Sequence, residues 1–247
     1  MKIVVIGGTG LIGSKLAERL SADGHDAVAA APDTGVNTLS GEGLAEALKG
    51  ADVVVDVANA PVWDDAAALD FFQTSSRHLQ AAELTAGVKH HVTLSVVGAD
   101  RLSESGYLRA KVAQEQIVQT GSVPYTILRA TQFFEFIGRI AESSLEDNTV
   151  HLAPVFVQPE SADDVVAALA EIAVSEPLNR IVELGGPEQF RLDELARRVL
   201  RANNDSRVVT ADVHARYFGA ELADHSLTPG SNARIAPTRF EDWLRSP

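Results

Sequence analysis

The sequence predicts an α/β fold, a doubly wound parallel sheet, from three features. Short, β-branched, continuously apolar runs alternate with Ala/Leu-rich stretches of helical period; glycines follow the helical stretches; and the alternation holds from the first residues to about residue 130. In order the pieces are "KIVVI", Leu11 to Leu20, "AVAAA", Gly43 to Lys49, "DVVVDV", Asp65 to Ala86, "HVTLSVV", Tyr107 to Gln119 and "YTILRA". Strands apolar throughout are buried on both faces, as a parallel sheet covered by helices requires. Gly24, Gly50, Gly87 and Gly121 each stand where a left-handed residue closes a helix.

After Arg129 the rhythm loosens. "TQFFEFIGRIAESS" reads as a helix and "TVHLAPVFVQP" as two extended pieces around Pro154. "SADDVVAALAEIAV" reads as a helix with Ser161 and Asp164 as a capping box, "RIVELGG" as a strand and "RLDELARRVLRANN" as a helix. Residues 205–247 are irregular and end in a short helical "TRFEDWLR". The expected organisation is a sheet domain over residues 1–150 and a small C-terminal α/β lobe over 151–247, packed on it rather than independent.

Composition narrows the function. The 247 residues are 45% hydrophobic, enough for a sizeable core. A formal charge of −13, from 21 basic and 34 acidic side chains without a basic cluster, argues against a nucleic-acid surface. The absence of cysteine excludes disulfides, thiolate metal sites and cysteine nucleophiles. "MKIVVIGGTGLIG" resembles a signal peptide, but glycines break it and Glu18, Arg19, Asp23 and Asp26 precede the A-x-A of "AVAAAP". It reads as mature structure, and a cytoplasmic location is expected. No run approaches the roughly 18 apolar residues of a membrane span. His90 and His91 are adjacent and point to opposite faces of a strand, so no metal site is expected. Asp163 and Asp164 read as helix N-terminal charges.

Gly7, Gly10 and Gly13 form G-x-x-G-x-x-G between the first strand and a helix. A dinucleotide pyrophosphate sits on such a helix N-terminus and needs the backbone close, so Gly7, Thr9, Gly10, Leu11, Ile12 and Gly13 are the candidate cradle of a Rossmann fold. A 2′-hydroxyl ribose is usually held by a carboxylate about 20 residues on. The second strand ends in Ala30, Ala31 and Pro32, with Asp33 the first acid beyond it and no arginine to clamp a 2′-phosphate. Thr34, Asn37 and Thr38 offer donors to that phosphate, whereas Asp33 would repel it or bind a ribose hydroxyl. NADP is the expected cofactor, with NAD open. At the end of the fourth strand, "DVANAP" makes Val57, Ala58 and Asn59 candidate cofactor wall residues.

Ser95 ends the fifth strand, and Tyr107 and Lys111 share one face of the next helix at i and i+4. If that face looks toward the nicotinamide, the Lys111 ammonium lowers the Tyr107 phenol pKa. Tyr107 then gives a proton to a carbonyl oxygen as hydride arrives, with Ser95 bonded to the same oxygen. In "LRATQFFEF", backbone at Ala130, Thr131 and Gln132 is placed against the carboxamide end. Phe133, Phe134, Phe136 and Trp63 are candidates for lining an apolar substrate pocket.

The segments "VVIGGTGLIGSKL", "HHVTLSVVG", "YLRAK", "PYTILRATQFFEF", "SADDVVAAL" and "VELGGPEQF" resemble the NmrA-like, atypical branch of the short-chain dehydrogenase/reductase superfamily. The resemblance spans nearly the whole chain. It implies a Rossmann domain with a small substrate lobe, NAD(P) binding, and the roles above for Ser95, Tyr107 and Lys111. Pro32 or Asp33 stands where such proteins commonly carry an arginine, and "LRA" where "LRP" is common. The branch also includes cofactor-sensing regulators without turnover. The expected activity is NAD(P)H-dependent reduction of a small carbonyl or quinone compound by a monomer or homodimer; the alternative is a redox sensor.

Overall fold

A computed structural model describes residues 1–61 and 64–245. Seven parallel strands form the main sheet: β1 (Lys2–Ile6), β2 (Asp26–Ala30), β3 (Val53–Asp56), β4 (His90–Val96), β5 (Tyr125–Ala130), β9 (Arg180–Gly185) and β12 (Arg234–Ile235), in the order β12-β9-β5-β4-β3-β1-β2. The doubly wound expectation holds. From β1 the chain first builds outward to β2 and then returns to β3 on the other side, so the crevice at this switch point opens between β1 and β3.

Side chains alternate across the strands as the pleat requires. Ile3 and Val5 join Ile12, Leu16 and Leu20 of α1 (Leu11–Ala22) and the apolar face of α6 (Ala162–Ala173). Val4 and Ile6 face the other way, toward Leu44 and Leu48 around α2 (Leu44–Ala47) and Leu79 of α3 (Asp65–Ala86). Next to α3 packs α4 (Gly106–Thr120), which covers β4 and β5.

The strands counted above as fourth and fifth are the third and fourth in chain order, β3 and β4, and between Ala31 and Val53 no strand forms. Gly35, Gly41 and Gly43 hold positive φ there, and the Asn37 side-chain oxygen accepts the N–H groups of Leu39 and Ser40, coiling the segment into turns. Gly24, Gly50 and Gly87 are left-handed as expected. Gly121 is extended, and its lack of a side chain makes room for the Gln80 amide.

The division at residue 150 does not follow the packing. From the C-terminal part, α6 packs on α1, β9 pairs with β5, and β12 extends the sheet beyond β9. The lobe is made by α5 (Ile137–Glu142), β6 (Leu145–Glu146), β7 (Thr149–Leu152), β8 (Phe156–Val157), β10 (Phe190–Arg191), α7 (Leu192–Ala202), β11 (Val208–Ala211) and α8 (Phe240–Arg245). Two small sheets, β11-β7-β6 and β10-β8, close over a core of Phe134, Phe240 and the apolar face of α7. The expected helix after Arg129 is a 3₁₀ turn over Phe134–Phe136 followed by the short α5. Ser161 caps α6 by accepting the Asp164 N–H (3.1 Å), but Asp164 does not complete the box: its carboxylate accepts the N–H and hydroxyl of Thr238.

Candidate cofactor and substrate site

The carboxyl ends of β1, β3, β4 and β5 open into a cavity of about 1130 Å³ that runs from the glycine loop to the lobe. At its first end Gly7 turns with φ +76, a conformation only glycine takes freely, and a Cβ there would lie 2.8 Å from Ala58 Cα. A Cβ on Gly13 would stand 2.1 Å from the Gly7 carbonyl oxygen, so α1 starts hard against the loop because this residue has no side chain. Gly10 is the N-cap of α1 and gives it no side-chain cap, leaving its first N–H groups and the positive end of its dipole at the cavity wall. This cradle fits a dinucleotide pyrophosphate.

Beyond the loop, Val57, Ala58, Asn59, Ala130, Thr131, Gln132 and Phe133 all line the cavity. The ribose-end candidates divide. Asn37 and Thr38 line it, whereas Asp33 stands beside the loop and accepts the Thr9 hydroxyl at 3.1 Å. Thr34 is turned inward: its oxygen accepts the Ala31 N–H (2.9 Å) and its hydroxyl lies within reach of the Ala29 and Ala31 carbonyls, so it serves its own turn rather than a phosphate. The Thr131 N–H is likewise engaged, by Leu184 O and the Glu160 carboxyl, and so is not free for a carboxamide.

Tyr107 lies in the first turn of α4, which docks on α3 because Gly106 leaves room for the Asp65 carboxylate that Arg109 pairs with at 3.0 Å. The Tyr107 ring meets Phe72 edge-on, with centroids 6.0 Å apart, and its hydroxyl donates to Asn59 Oδ1 at 3.1 Å. One turn on, Lys111 is 3% exposed, with its ammonium 4.5 Å from the centre of the same Phe72 ring. The shared face is as expected; the electrostatics are not. Lys111 donates to Leu94 O (2.9 Å) and to the Gln114 side-chain oxygen, and Gln114 in turn donates to buried Asp56 (2.8 Å). Burial therefore decides both groups. It pushes Tyr107 up to about 12 against the Asn59 hydrogen bond, and Lys111 down to about 8 against the pull of Asp56 and Glu115. Tyr107 is a neutral phenol rather than an activated phenolate.

Ser95 is also redirected. It is 2% exposed and donates to Glu115 Oε1 at 2.6 Å. Buried Arg129 needs a counter-charge and takes Glu115 through two hydrogen bonds (2.9 and 2.6 Å); the carboxylate held there captures the Ser95 proton. That proton is not offered to a substrate oxygen. Phe134, expected in the pocket, is 1% exposed in the lobe core against Phe240 and Trp243, with centroids 5.4 and 5.2 Å away. Trp63 lies outside the described residues. Phe136 lines the cavity as expected, and Phe71, Arg139, Tyr217 and Phe218 join it without having been foreseen. The last two come from the irregular tail, where no periodicity marks them. Among the described residues no group of three or more acidic or histidine side chains could hold a metal ion, and no helix is long and apolar enough to cross a membrane.

A doubly wound sheet with a glycine cradle at its switch point defines a dinucleotide-binding protein. The family model described as NAD(P)H-binding matches residues 7–135, more than half of the chain, and the chain belongs to that family. This match and the fold are compatible with the resemblance of the sequence to the atypical short-chain dehydrogenases/reductases. Among curated relatives, the chain is 22% identical over 228 residues to the photosystem II assembly factor Ycf39 of Cyanophora paradoxa, covering 85% of this chain and 71% of that protein. It is 26% identical over 165 residues to Ycf39 of Synechocystis sp., covering 61% of this chain and 51% of that one. Among solved structures, a nucleoside-diphosphate-sugar epimerase from Staphylococcus aureus superposes with a TM-score of 0.73 at 14% identity, covering all of both chains. The Thermus thermophilus UDP-glucose 4-epimerase in complex with NAD gives 0.71 at 18% identity, over 92% of each chain. At these identities the likeness is one of fold.

Proposed function

We propose that the chain is a reductase that takes a reduced nicotinamide dinucleotide along the cavity and reduces a small carbonyl or quinone-type compound at its lobe end. The observation that carries this reading is the continuity of one cavity from the glycine cradle to the Tyr107 hydroxyl. When bound, the cofactor supplies the hydride. The Gly7–Gly13 loop and the α1 N-terminus hold its pyrophosphate, and Val57, Ala58 and Ala130 form the wall along it. Tyr107, neutral because burial holds its pKa near 12, donates its proton to the developing alkoxide, a stronger base than phenolate. A phenol so reluctant to ionise is a poor base, which favours reduction over oxidation. Lys111, one turn on, is held by Leu94 O and Gln114 and supports the wall beneath Tyr107 rather than the phenol itself, and the aromatic walls exclude water.

On the cofactor we depart from the sequence expectation and put NAD(H) ahead of NADP(H). Asp33, held by Thr9 beside the glycine loop, is the first acid after β2, where a ribose carboxylate is expected, and the cationic residues among those described in the lining, Lys111 and Arg139, belong to α4 and α5. A carboxylate accepts ribose hydroxyls and repels a 2′-phosphate. Fluorescence titration with NADH and NADPH tests this, followed by turnover of carbonyl and quinone acceptors with a Tyr107→Phe control. Turnover unchanged in that variant would remove Tyr107 from the mechanism.

A second reading has its own support. Ser95 and Lys111 both spend protons within the protein, as in a cofactor-binding module that signals occupancy instead of turning over. Relatives named as assembly factors are compatible with it. Tight cofactor binding with no hydride transfer to any acceptor would favour it.

A further inference from the structure

At the lobe end of the cavity two side chains have no part in the chemistry above. Gln132 is 6% exposed and lines the cavity, yet neither its Oε1 nor its Nε2 completes a hydrogen bond within the protein. Folded proteins keep few buried amides in this condition, and one turned to a cavity is a group waiting for a partner. Tyr217, 8% exposed, lines the same end, with its hydroxyl beside the Gln132 amide and close enough to Tyr107 for that phenol to disfavour its ionisation.

The loop that presents Tyr217 is built for position. Tyr217 and Ala220 exchange backbone hydrogen bonds of 2.8 and 3.0 Å, closing a tight turn in which Phe218 takes a positive φ of 46. Arg216 donates to Glu104 (3.0 Å) and Glu221 (2.8 Å), and the Glu221 N–H donates to Glu104 (3.2 Å). Glu104 lies just ahead of α4, so one brace ties the Tyr217 loop to the helix start that carries Tyr107. Phe133, Phe136 and Phe218 supply flat apolar walls between them, and the charges in the lining there, Arg139 and Glu142, are of opposite sign.

We propose that Gln132 and Tyr217 are the substrate-positioning pair: they grip the polar edge of an uncharged, planar, oxygen-bearing ring while its reacting oxygen stands at Tyr107. This rests on the reductase reading and adds its specificity. An amide and a phenol set side by side, with donor and acceptor capacity to spare, suit a ring carrying a second oxygen. A nucleoside diphosphate would instead need cations that this chamber does not gather.

The probe is 1,4-naphthoquinone, titrated calorimetrically onto protein saturated with NAD⁺ so that no turnover occurs. Wild type should bind it at least about tenfold tighter than naphthalene, which has the ring without the oxygens, and UDP should not compete. Gln132→Met and Tyr217→Phe should each weaken naphthoquinone about tenfold and leave NAD⁺ affinity within twofold. Equal binding of quinone and naphthalene, variants that bind quinone as wild type does, or displacement by UDP would each overturn the proposal. The wild-type comparison decides it even where a variant fails to fold. Binding that depends on the pair, without oxidation of NADH by the quinone, would sink the reductase reading and leave the positioning pair standing.

Discussion

Lys111 gives the sharpest quantitative test. Its ammonium is sealed between α3, α4 and β4, and burial lowers its pKa from 10.5 to about 8 despite Asp56 and Glu115. At about 1.4 kcal/mol per pH unit, that drop means the charged form opposes folding by about 3 kcal/mol at neutral pH. The unfolded chain holds this proton more tightly than the folded one, so the residue's contribution to stability improves as pH rises from about 8 towards 10.5. About 2 kcal/mol of the deficit should be recovered between roughly pH 7 and 9.5. Lys111→Met removes the titration and keeps the bulk, while leaving Leu94 O and Gln114 without their donor, at about 1–3 kcal/mol each. At neutral pH gain and loss nearly offset.

The assay is urea unfolding of both proteins at several pH values across that window, compared as a difference so that groups common to both cancel. The wild type should gain about 2 kcal/mol on the variant as pH rises, at unchanged m-value. Parallel curves would show that Lys111 titrates near its ordinary value and would refute the sealed-ammonium account. If the charge serves catalysis, kcat/KM should fall as pH passes about 8 in the wild type, and the variant should be poorly active at every pH.

Other substitutions separate the remaining parts. Tyr107→Phe should keep the fold and the cofactor affinity and lower kcat about 10²–10⁴-fold, the usual worth of a positioned acid, in a steady-state assay. Gly13→Ala forces a Cβ against Gly7 O, and overpacking of about 1–3 kcal/mol should weaken NADH roughly tenfold or more by fluorescence titration. Asp33→Ala should narrow or reverse the preference for NADH over NADPH, and an unchanged ratio would show that Asp33 does not read the ribose. Glu160 is raised to about 8 by burial, against the hydrogen bonds from Thr131, so the folded state holds its proton longer than the unfolded chain does. Wild-type stability should fall between about pH 4.5 and 8 with a slope that Glu160→Gln lacks, as measured by thermal unfolding.

What the sequence reveals and what it conceals divide along a physical line. The glycine cradle is legible because its demands are local: Gly7 needs a positive φ, Gly13 must have no Cβ, and each lies within a few residues of a strand or helix end. The shared face of Tyr107 and Lys111 is legible for the same reason, being a property of helical period. Direction within that face is not local. The Ser95 proton is drawn to Glu115 because Arg129, on the neighbouring strand, needs that carboxylate, and the Lys111 ammonium turns to a polar layer reaching Asp56 on β3. The packing of α4 on the sheet brings these residues together across gaps of 14 to 58 positions, which no window along the chain can see.

The same line runs through the cavity and bears on how such a protein acquires its specificity. Its cofactor end is set by backbone geometry, where most substitutions clash; a Cβ at Gly7 or Gly13 meets main chain, which cannot move aside. Its lobe end is set by side chains on connecting segments: Phe136 on a 3₁₀ turn, and Tyr217 and Phe218 on a loop fastened by Arg216 and Glu104. Exchanging Tyr217 or Phe218 leaves every strand of the main sheet paired as before. On the proposed reading, substrate choice can therefore change here while the sheet, cradle and Tyr107 stay fixed, so a fold shared with sugar-nucleotide enzymes carries little information about the molecule this chamber would take.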